Sequence, residues 1–429
     1  MNDINARCGK LERNCDGQDG RDGKDDTGRP DRLLTQADTE RLARARFEEV
    51  HQYFTDQYAR RDVLLQTRTP GGLLLDWVPI ESQQGCATLA DPPDEDRPVL
   101  PDRTATERRE QFVSFELDRP GAVRGPLGSV PVWRRDLDRL CTLHSLNDYL
   151  SKHGRANQLT ISPTGEGIAF PEDGGAHKYA NTSQSVTAYG TEGNINAWDP
   201  YVEWSDEFSL GQLALARGGG GGRQTLEVGH QEYRDLYGDW VPHLFVFYTT
   251  NGYTASGDNK GGYNQDVAGW VQYSSGIHPG AALSSPVSAF GGTQYILQLK
   301  VQLWQGNWWV RVNGQWIGYY PASLYNAAGL RNQADQVSWF GEIVDSSSHN
   351  GTTATDMGNG HWPYEGFQHC AYMNNLLYQS ATNGSMQRFA GSAWASHPKC
   401  YGVEEHFSNT GSWGSHFWWG GSGRNSQCP

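Results

Sequence analysis

A 429-residue chain with a formal charge of −14 and no basic stripe does not suit nucleic-acid binding, which needs clustered Lys and Arg against phosphate. Its mean hydropathy is −0.67, and no run approaches the roughly 18 apolar residues that cross a bilayer, so no membrane span is expected. Fifty-two glycines and 16 tryptophans predict a turn-rich β architecture with large aromatic faces, not a helical bundle.

Residues 1–32 are charged and rich in Gly and Asp, which predicts a disordered tail; no signal peptide is visible in them. Over 35–62, Ala43, Phe47, Val50, Phe54 and Tyr58 recur at helical spacing, with Thr35 or Asp38 as candidate N-cap. "GGLLLDWVPIESQ" reads as a strand, and 87–110, rich in Pro and charge, as a loop. Leu137, Leu140 and Leu143 or His144 allow a short helix that Gly154 would end.

Near 165–185 the texture changes from helical periodicity to alternation. In 295–321, Leu297, Leu299, Val301 and Leu303 share one face and Ile296, Gln298, Lys300 and Gln302 the other. Breaks at Gln305-Gly306 and Asn313-Gly314 then predict three antiparallel strands. "HLFVFYTT", "AGWVQYSS", "RQTLEVGHQEY" and "QVSWFGEIVD" add four more. Seven short strands with no helix between them predict a mainly β protein built on an antiparallel, jelly-roll-like β-sandwich.

Two of these strands carry a glutamate inside an otherwise apolar run. Alternation puts Glu342 with Ser338 and Phe340, opposite Trp339, and Glu227 with Thr225 and Gly229, opposite Leu226 and Val228. Both stand close to a glycine, Gly229 or Gly341, where another backbone could approach. A carboxyl pair suits hydrolysis: proximity separates the two pKa values, so one acid donates a proton while its partner takes one from water. Burial against Trp339 and Phe340 would raise the pKa of Glu342 further. A strand glutamate is more commonly just solvated, and nothing in the spacing brings these two together.

Three readings follow: a hydrolase acting on peptides, a two-glutamate glycoside hydrolase, or a non-catalytic, aromatic-rich sandwich that binds carbohydrate or protein. Trp308, Trp309, Trp316 and Trp339 read as core and cleft wall. His230, His361 and His369 lack ligand spacing, no H-E-x-x-H occurs, and neither metal nor cofactor is expected. Seven cysteines form no C-x-x-C pair, and their odd number leaves at least one thiol free or paired between chains. The glycines at 218–222 read as a flexible strand connection, and Asn181, Asn350 and Asn383 begin glycosylation sequons.

From about residue 185 onward, ordered segments resemble the neprosin family of glutamic peptidases. They are "INAWDPYVEWSDEFSLGQ", "TLEVGHQEYRDLYGD", "LFVFYTTNGYTASG", "NWWVRVNGQWIGYYPASLY", "VSWFGEIVD", "TTATDMGNGHWPYEGF" and "WGSHFWWGGSGRNSQCP". Upstream, "GSVPVWRRDL" resembles part of the activation region that precedes the peptidase in this family. The resemblance implies that Glu227 and Glu342 are catalytic, and that Trp339, Gly229, Gly341 and Tyr237 line the substrate site. It implies a mixed α+β prosegment over 33–175, covering the cleft until acid-triggered removal, before a peptidase domain over 180–429. It further implies a secreted, monomeric enzyme that cleaves peptides or proteins after proline. A family-like bridge between Cys400 and Cys428 would close a loop for about 3 kcal/mol in the chain-entropy view, with reduced thiols as the alternative. The sequence departs from the family pattern where "SGDNKGGYNQDVAGW" lacks cysteines, and where "GH" follows Glu227 and "FGE" replaces "GGE".

Overall fold

The computed structural model describes residues 36–83, 88–94, 110–136, 146, 150, 152, 160–161, 168–169, 177–253, 257–284, 286–346, 352–382 and 386–429. The expected disordered tail lies outside these residues, as does most of the short helix expected before Gly154, of which Leu146 and Leu150 are described as helical.

The first helix, Gln36–Ala59, turns Val50, Phe54 and Tyr58 inward, as their spacing predicts. It is followed by an antiparallel sheet of Leu65–Arg68, Leu74–Pro79 and Ser129–Arg134. Trp77 fills the inner side of that sheet, while buried Asp76 accepts from Arg61 at 3.1 Å, Arg134 at 2.7 Å and Gln66 at 2.8 Å.

Two large sheets make up most of the rest, beside two short two-stranded pairs. The first runs in the order Gly261–Tyr263, His243–Thr249, Gln224–Glu232, Ser209–Arg217, Ala334–Val344, His177–Ala188, Ser392–Ala395, antiparallel throughout. The second centres on Gln294–Trp304, Gly190–Asn196 and Ala371–Gln379, flanked by Asn307–Val312 and Gln315–Pro321 on one side and His416–Gly420 and Gly402–His406 on the other. The two hairpins of 294–321 fall where expected, and Gln305-Gly306 and Asn313-Gly314 all have positive φ, the conformation that matches strand twist in two-residue turns. Apolar side chains between the sheets form one core, with Leu213, Val228, Val337 and Trp339 contributed by the first sheet and Leu297, Leu299, Trp308 and Val310 by the second. The fold is thus mainly β, in large antiparallel sheets.

The N-terminal segment is built into this structure. Glu110–Phe112 joins the second sheet as a parallel neighbour of Gln294–Ile296. Trp133 stacks on Tyr237 with centroids 5.5 Å apart, and Arg135 makes a buried ion pair with Asp266. Val50, Phe54, Trp77 and Trp133 belong to the same apolar cluster as the sandwich core. The strand His177–Ala188 lies across the expected start at 180, because its pairing with Ala334–Val344 begins at His177. Asn181 is buried in that strand, so its sequon is closed in the folded chain; Asn350 and Asn383 fall outside the described residues. Cys400 and Cys428 form the expected disulfide, with Cα atoms 5.4 Å apart, and Cys370 is a buried free thiol.

Candidate active site

Three adjacent strands of the first sheet create the site. Ser209–Arg217 lies between the Glu227 strand and the Glu342 strand, pairing Ala214 with Glu227 and Leu210 with Glu342. Gln212, midway between, pairs with Gly229 on one side and Phe340 on the other. The inward neighbours of the glutamates, Leu226, Val228, Trp339 and Ile343, pack in the core. Alternation therefore turns Glu227, Gln212 and Glu342 to the opposite face.

The two carboxyl groups meet there around one cation, which comes from the N-terminal segment. Lys152 Nζ donates to Glu227 Oε2 at 2.5 Å, to Gln212 Oε1 at 3.2 Å and to Glu342 Oε2 at 3.5 Å. The two glutamate oxygens are thus at most 6.0 Å apart, the sum of their distances to the shared nitrogen. Lys152, Glu227 and Glu342 are 3%, 1% and 3% exposed, so water screens none of these charges. The Phe245 and Phe247 rings lie 5.5 and 5.3 Å from Nζ and offer their negative faces to it.

The remaining oxygens are held differently. Glu227 Oε1 accepts from Tyr253 OH at 2.5 Å and from Thr225 Oγ1 at 2.8 Å. Glu342 Oε1 lies 2.6 Å from His177 Nδ1, and Gln212 Nε2 donates to its Oε2 at 3.5 Å. Burial pushes the Tyr253 and Tyr179 hydroxyls well above their ordinary range, reinforced by Glu227 and Glu342 respectively, so both stay protonated and can donate.

Burial acts against every charge in the site, and the ion pairs outweigh it. For Lys152, burial alone lowers the pKa, but Glu227 and Glu342 together leave it raised. For Glu342, burial alone raises it, but Lys152 and His177 leave it lowered. This corrects the sequence-based expectation of an upward shift from packing against Trp339 and Phe340. Trp339 lies on the other face, with its Nε1 donating to Thr191 Oγ1 at 3.2 Å.

The other expected substrate contacts divide. Gly229 shares the Glu227 face; a Cβ there would meet the Gly211 carbonyl and Gln212, so its absence lets the two strands close and seats Gln212. Gly341 points the other way, and a Cβ on it would strike the Trp419 ring. Tyr237 is buried between Trp133 and His243, stacked on the latter at 4.1 Å, and binds the N-terminal segment instead of facing the glutamates. Trp309 and Trp316 belong to the outer face of the second sheet, while Trp308 and Trp339 are core. His230 is buried in the core and pushed by burial down to about 4, so it is neutral there. Among the described residues no group of His, Cys, Asp and Glu could hold a metal.

Sequence reasoning missed Lys152, His177, Gln212 and Tyr253. Only Gln212 carried the signal that exposed the glutamates, a polar residue in the apolar run "SLGQLALA".

Among solved structures, the chain is similar to scytalido-glutamic peptidase with a transition-state analog inhibitor. That match has 8% identity and a TM-score of 0.29, over 56% of this chain and 97% of that one. It is also similar to CG-16, a homodimeric agglutinin from chicken liver, at 7% identity and a TM-score of 0.20, over 38% and 93%. Scores this low carry no argument about the site. The Neprosin family model, by contrast, matches residues 205–422, a span that includes both glutamates, Gln212 and Tyr253. The chain therefore belongs to the neprosin family, a family of peptidases of the glutamic type.

Proposed function

We propose that this chain is the latent form of an acid-active glutamic endopeptidase that cleaves proteins or peptides after proline. The observation that carries the reading is the convergence of Glu227 and Glu342, from separate strands, on one buried lysine of the N-terminal segment. A pair of carboxyls no more than 6.0 Å apart is close enough to work on one water and one scissile carbonyl.

In the active form Lys152 is gone and the pair shares a proton. The ionised member takes a proton from water as the water attacks the carbonyl carbon. Its protonated partner donates to the carbonyl oxygen; the proton taken from water then passes to the amine nitrogen as the C–N bond breaks, and the hydroxyl proton returns to the partner carboxyl. The pair titrates as a unit. Gln212 Nε2, between the two glutamates, is the neutral donor placed to stabilise the developing oxyanion. Tyr253 and Thr225 hold Glu227 in orientation through Oε1.

The closed form is the zymogen. With the Lys152 ammonium in place neither glutamate can share a proton, and a substrate carbonyl has no room. Glu342 is held below its ordinary value of 4.5, so its contribution to closure is full above that pH and is lost as pH falls through the lowered value. Lys152 is held above 10.5, so its contribution is full below that pH and is lost only as pH rises through the raised value. Closure is therefore complete between those limits and fails in acid. The Cys400–Cys428 disulfide supports an oxidising, secretory destination, and we take the enzyme to be secreted and monomeric.

The test is an acid pulse below pH 4, followed by a proline-containing fluorogenic peptide, a glycan substrate and mass spectrometry of the chain. The reading predicts peptide cleavage, no glycan cleavage and a new N-terminus beyond Lys152. Glycan cleavage, or full peptidase activity before the pulse, contradicts it.

A further inference from the structure

The outer face of the second sheet carries a second aromatic surface, apart from the core and from the glutamates. Trp309 lies there with Tyr319, Tyr273 and Trp316 around it, at centroid distances of 4.5, 5.3 and 6.1 Å. Arg311 Cζ lies 5.7 Å from the Trp316 ring. The surface is not open: Leu89 and Ala90 pack on it, and the Ala90 N–H donates to Tyr319 OH at 3.3 Å. These two residues belong to the non-helical, non-strand stretch 88–94, "TLADPPD", whose Pro93 is buried. Gln83 anchors the approach to it, pairing its side-chain amide with both the N–H and the carbonyl of Gln272 at 2.7 and 2.8 Å.

Three buried donors of this surface, Trp309 Nε1, Trp316 Nε1 and Arg311 Nε, have no acceptor among the described residues. The one bond described from the covering segment to this surface, from the Ala90 N–H to Tyr319 OH, engages none of these three donors. A ligand that completes the surface brings carbonyl oxygens and flat apolar rings, with negative charge that joins Glu192 in the field of Arg311. An extended peptide containing proline and aspartate does this. Proline offers a carbonyl without an N–H, packs its ring on indole and phenol faces, and is already extended before binding.

We propose that this aromatic shelf is a docking site for an extended, acidic, proline-containing peptide, and that residues 88–94 occupy it in cis. Once that segment leaves, the shelf holds a proline-bearing stretch of substrate at a distance from the glutamates. That role as an exosite rests on the peptidase reading; the binding itself does not.

The probe is a fluorescein-labelled Leu-Ala-Asp-Pro-Pro-Asp peptide. Its polarisation is read at pH 7, with the peptide verified intact by mass spectrometry, so catalysis does not enter the result. The protein is the full-length chain with residues 88–94 replaced by an equal length of glycine and serine. The proposal expects this chain to bind the probe at least about tenfold more tightly than the unaltered chain does. Replacing both probe prolines with alanine, or adding Trp316→Ala, should weaken binding by about tenfold. No binding by the folded glycine-serine chain, equal binding of the alanine peptide, or displacement of the probe by a cello-oligosaccharide overturns it. If the replaced chain fails to fold, Tyr319→Phe in the otherwise unaltered chain provides the test through amide hydrogen exchange at Ala90. Exchange faster by about tenfold supports the docking contact, and unchanged exchange overturns it.

Discussion

Lys152 decides which state the glutamate pair can occupy. It is 75 residues from Glu227 and 190 from Glu342 in sequence, yet it satisfies an oxygen of each. Removing one partner of a buried ion pair leaves the others uncompensated, at a cost of about 3–5 kcal/mol. In Lys152→Met the burial that opposes the charge on Glu342 is countered by His177 and neutral donors such as Gln212, without the ammonium, so its pKa rises and the segment loosens. The variant should therefore show activity at pH 6 without an acid pulse, at least about tenfold above the unaltered chain. Equal latency in the two chains would mean that Lys152 only fills space. At this scale the sequence revealed half of the site. Glu227 and Glu342 stand out because a charge interrupts an apolar, alternating run. Lys152 sits in "LSKHGRA", where a lysine is indistinguishable from a solvated one until the fold buries it. His177 and Tyr253 stand in polar surroundings and gave no signal either.

Strands and turns were far more legible, since alternation and Asn-Gly or Gln-Gly breaks are local. The three strands of 294–321 and those carrying the glutamates follow from pattern alone. The strand His177–Ala188 was missed because "HKYANTSQSVTA" is largely polar; pairing on both sides, not apolar content, places it in the sheet. The glycine beside Glu342 was read as room for a substrate backbone, and its cause is instead a partner from another strand. A Cβ at Gly341 would lie 2.1 Å from Trp419 Cε3. Gly341→Ala should thus lower stability by about 1–3 kcal/mol, the usual cost of overpacking. Urea unfolding should show this as a lower midpoint at unchanged slope. Unchanged stability with a raised KM would restore the substrate-site reading of that glycine.

For the whole molecule, three buried acids outside the glutamate pair favour acid conditions. Burial pushes Glu232 up to about 9, with Asp199 adding to it, Glu207 to about 7 and Asp356 to about 6. Each is raised above its unfolded value, so the stability it contributes is full below that value and is lost as pH rises through about 6, 7 and 9. Thermal melting should therefore give a midpoint several degrees higher at pH 5 than at pH 9, with about 2–4 °C expected per kcal/mol in a domain of this size. An equal or lower midpoint at pH 5 would contradict this account. These three groups stay protonated in the stronger acid that releases the N-terminal segment, so that release leaves their contribution to the sandwich in place. Order along the chain, a helical N-terminal part before a β-rich remainder, was legible in the sequence. The joining of both parts into one core was not, because the partners of Trp77 and Trp133 are distant in sequence and no local pattern reveals them.

That Glu227 and Glu342 together carry out the chemistry is tested by the turnover of a proline-containing peptide by acid-treated Glu227→Gln and Glu342→Gln chains. Glutamine keeps the shape and removes the acid; each variant loses one partner of Lys152 and some stability, but where it folds it should lose activity by at least about a thousandfold, or about 4 kcal/mol of transition-state stabilisation. Full turnover by either folded variant would contradict the account.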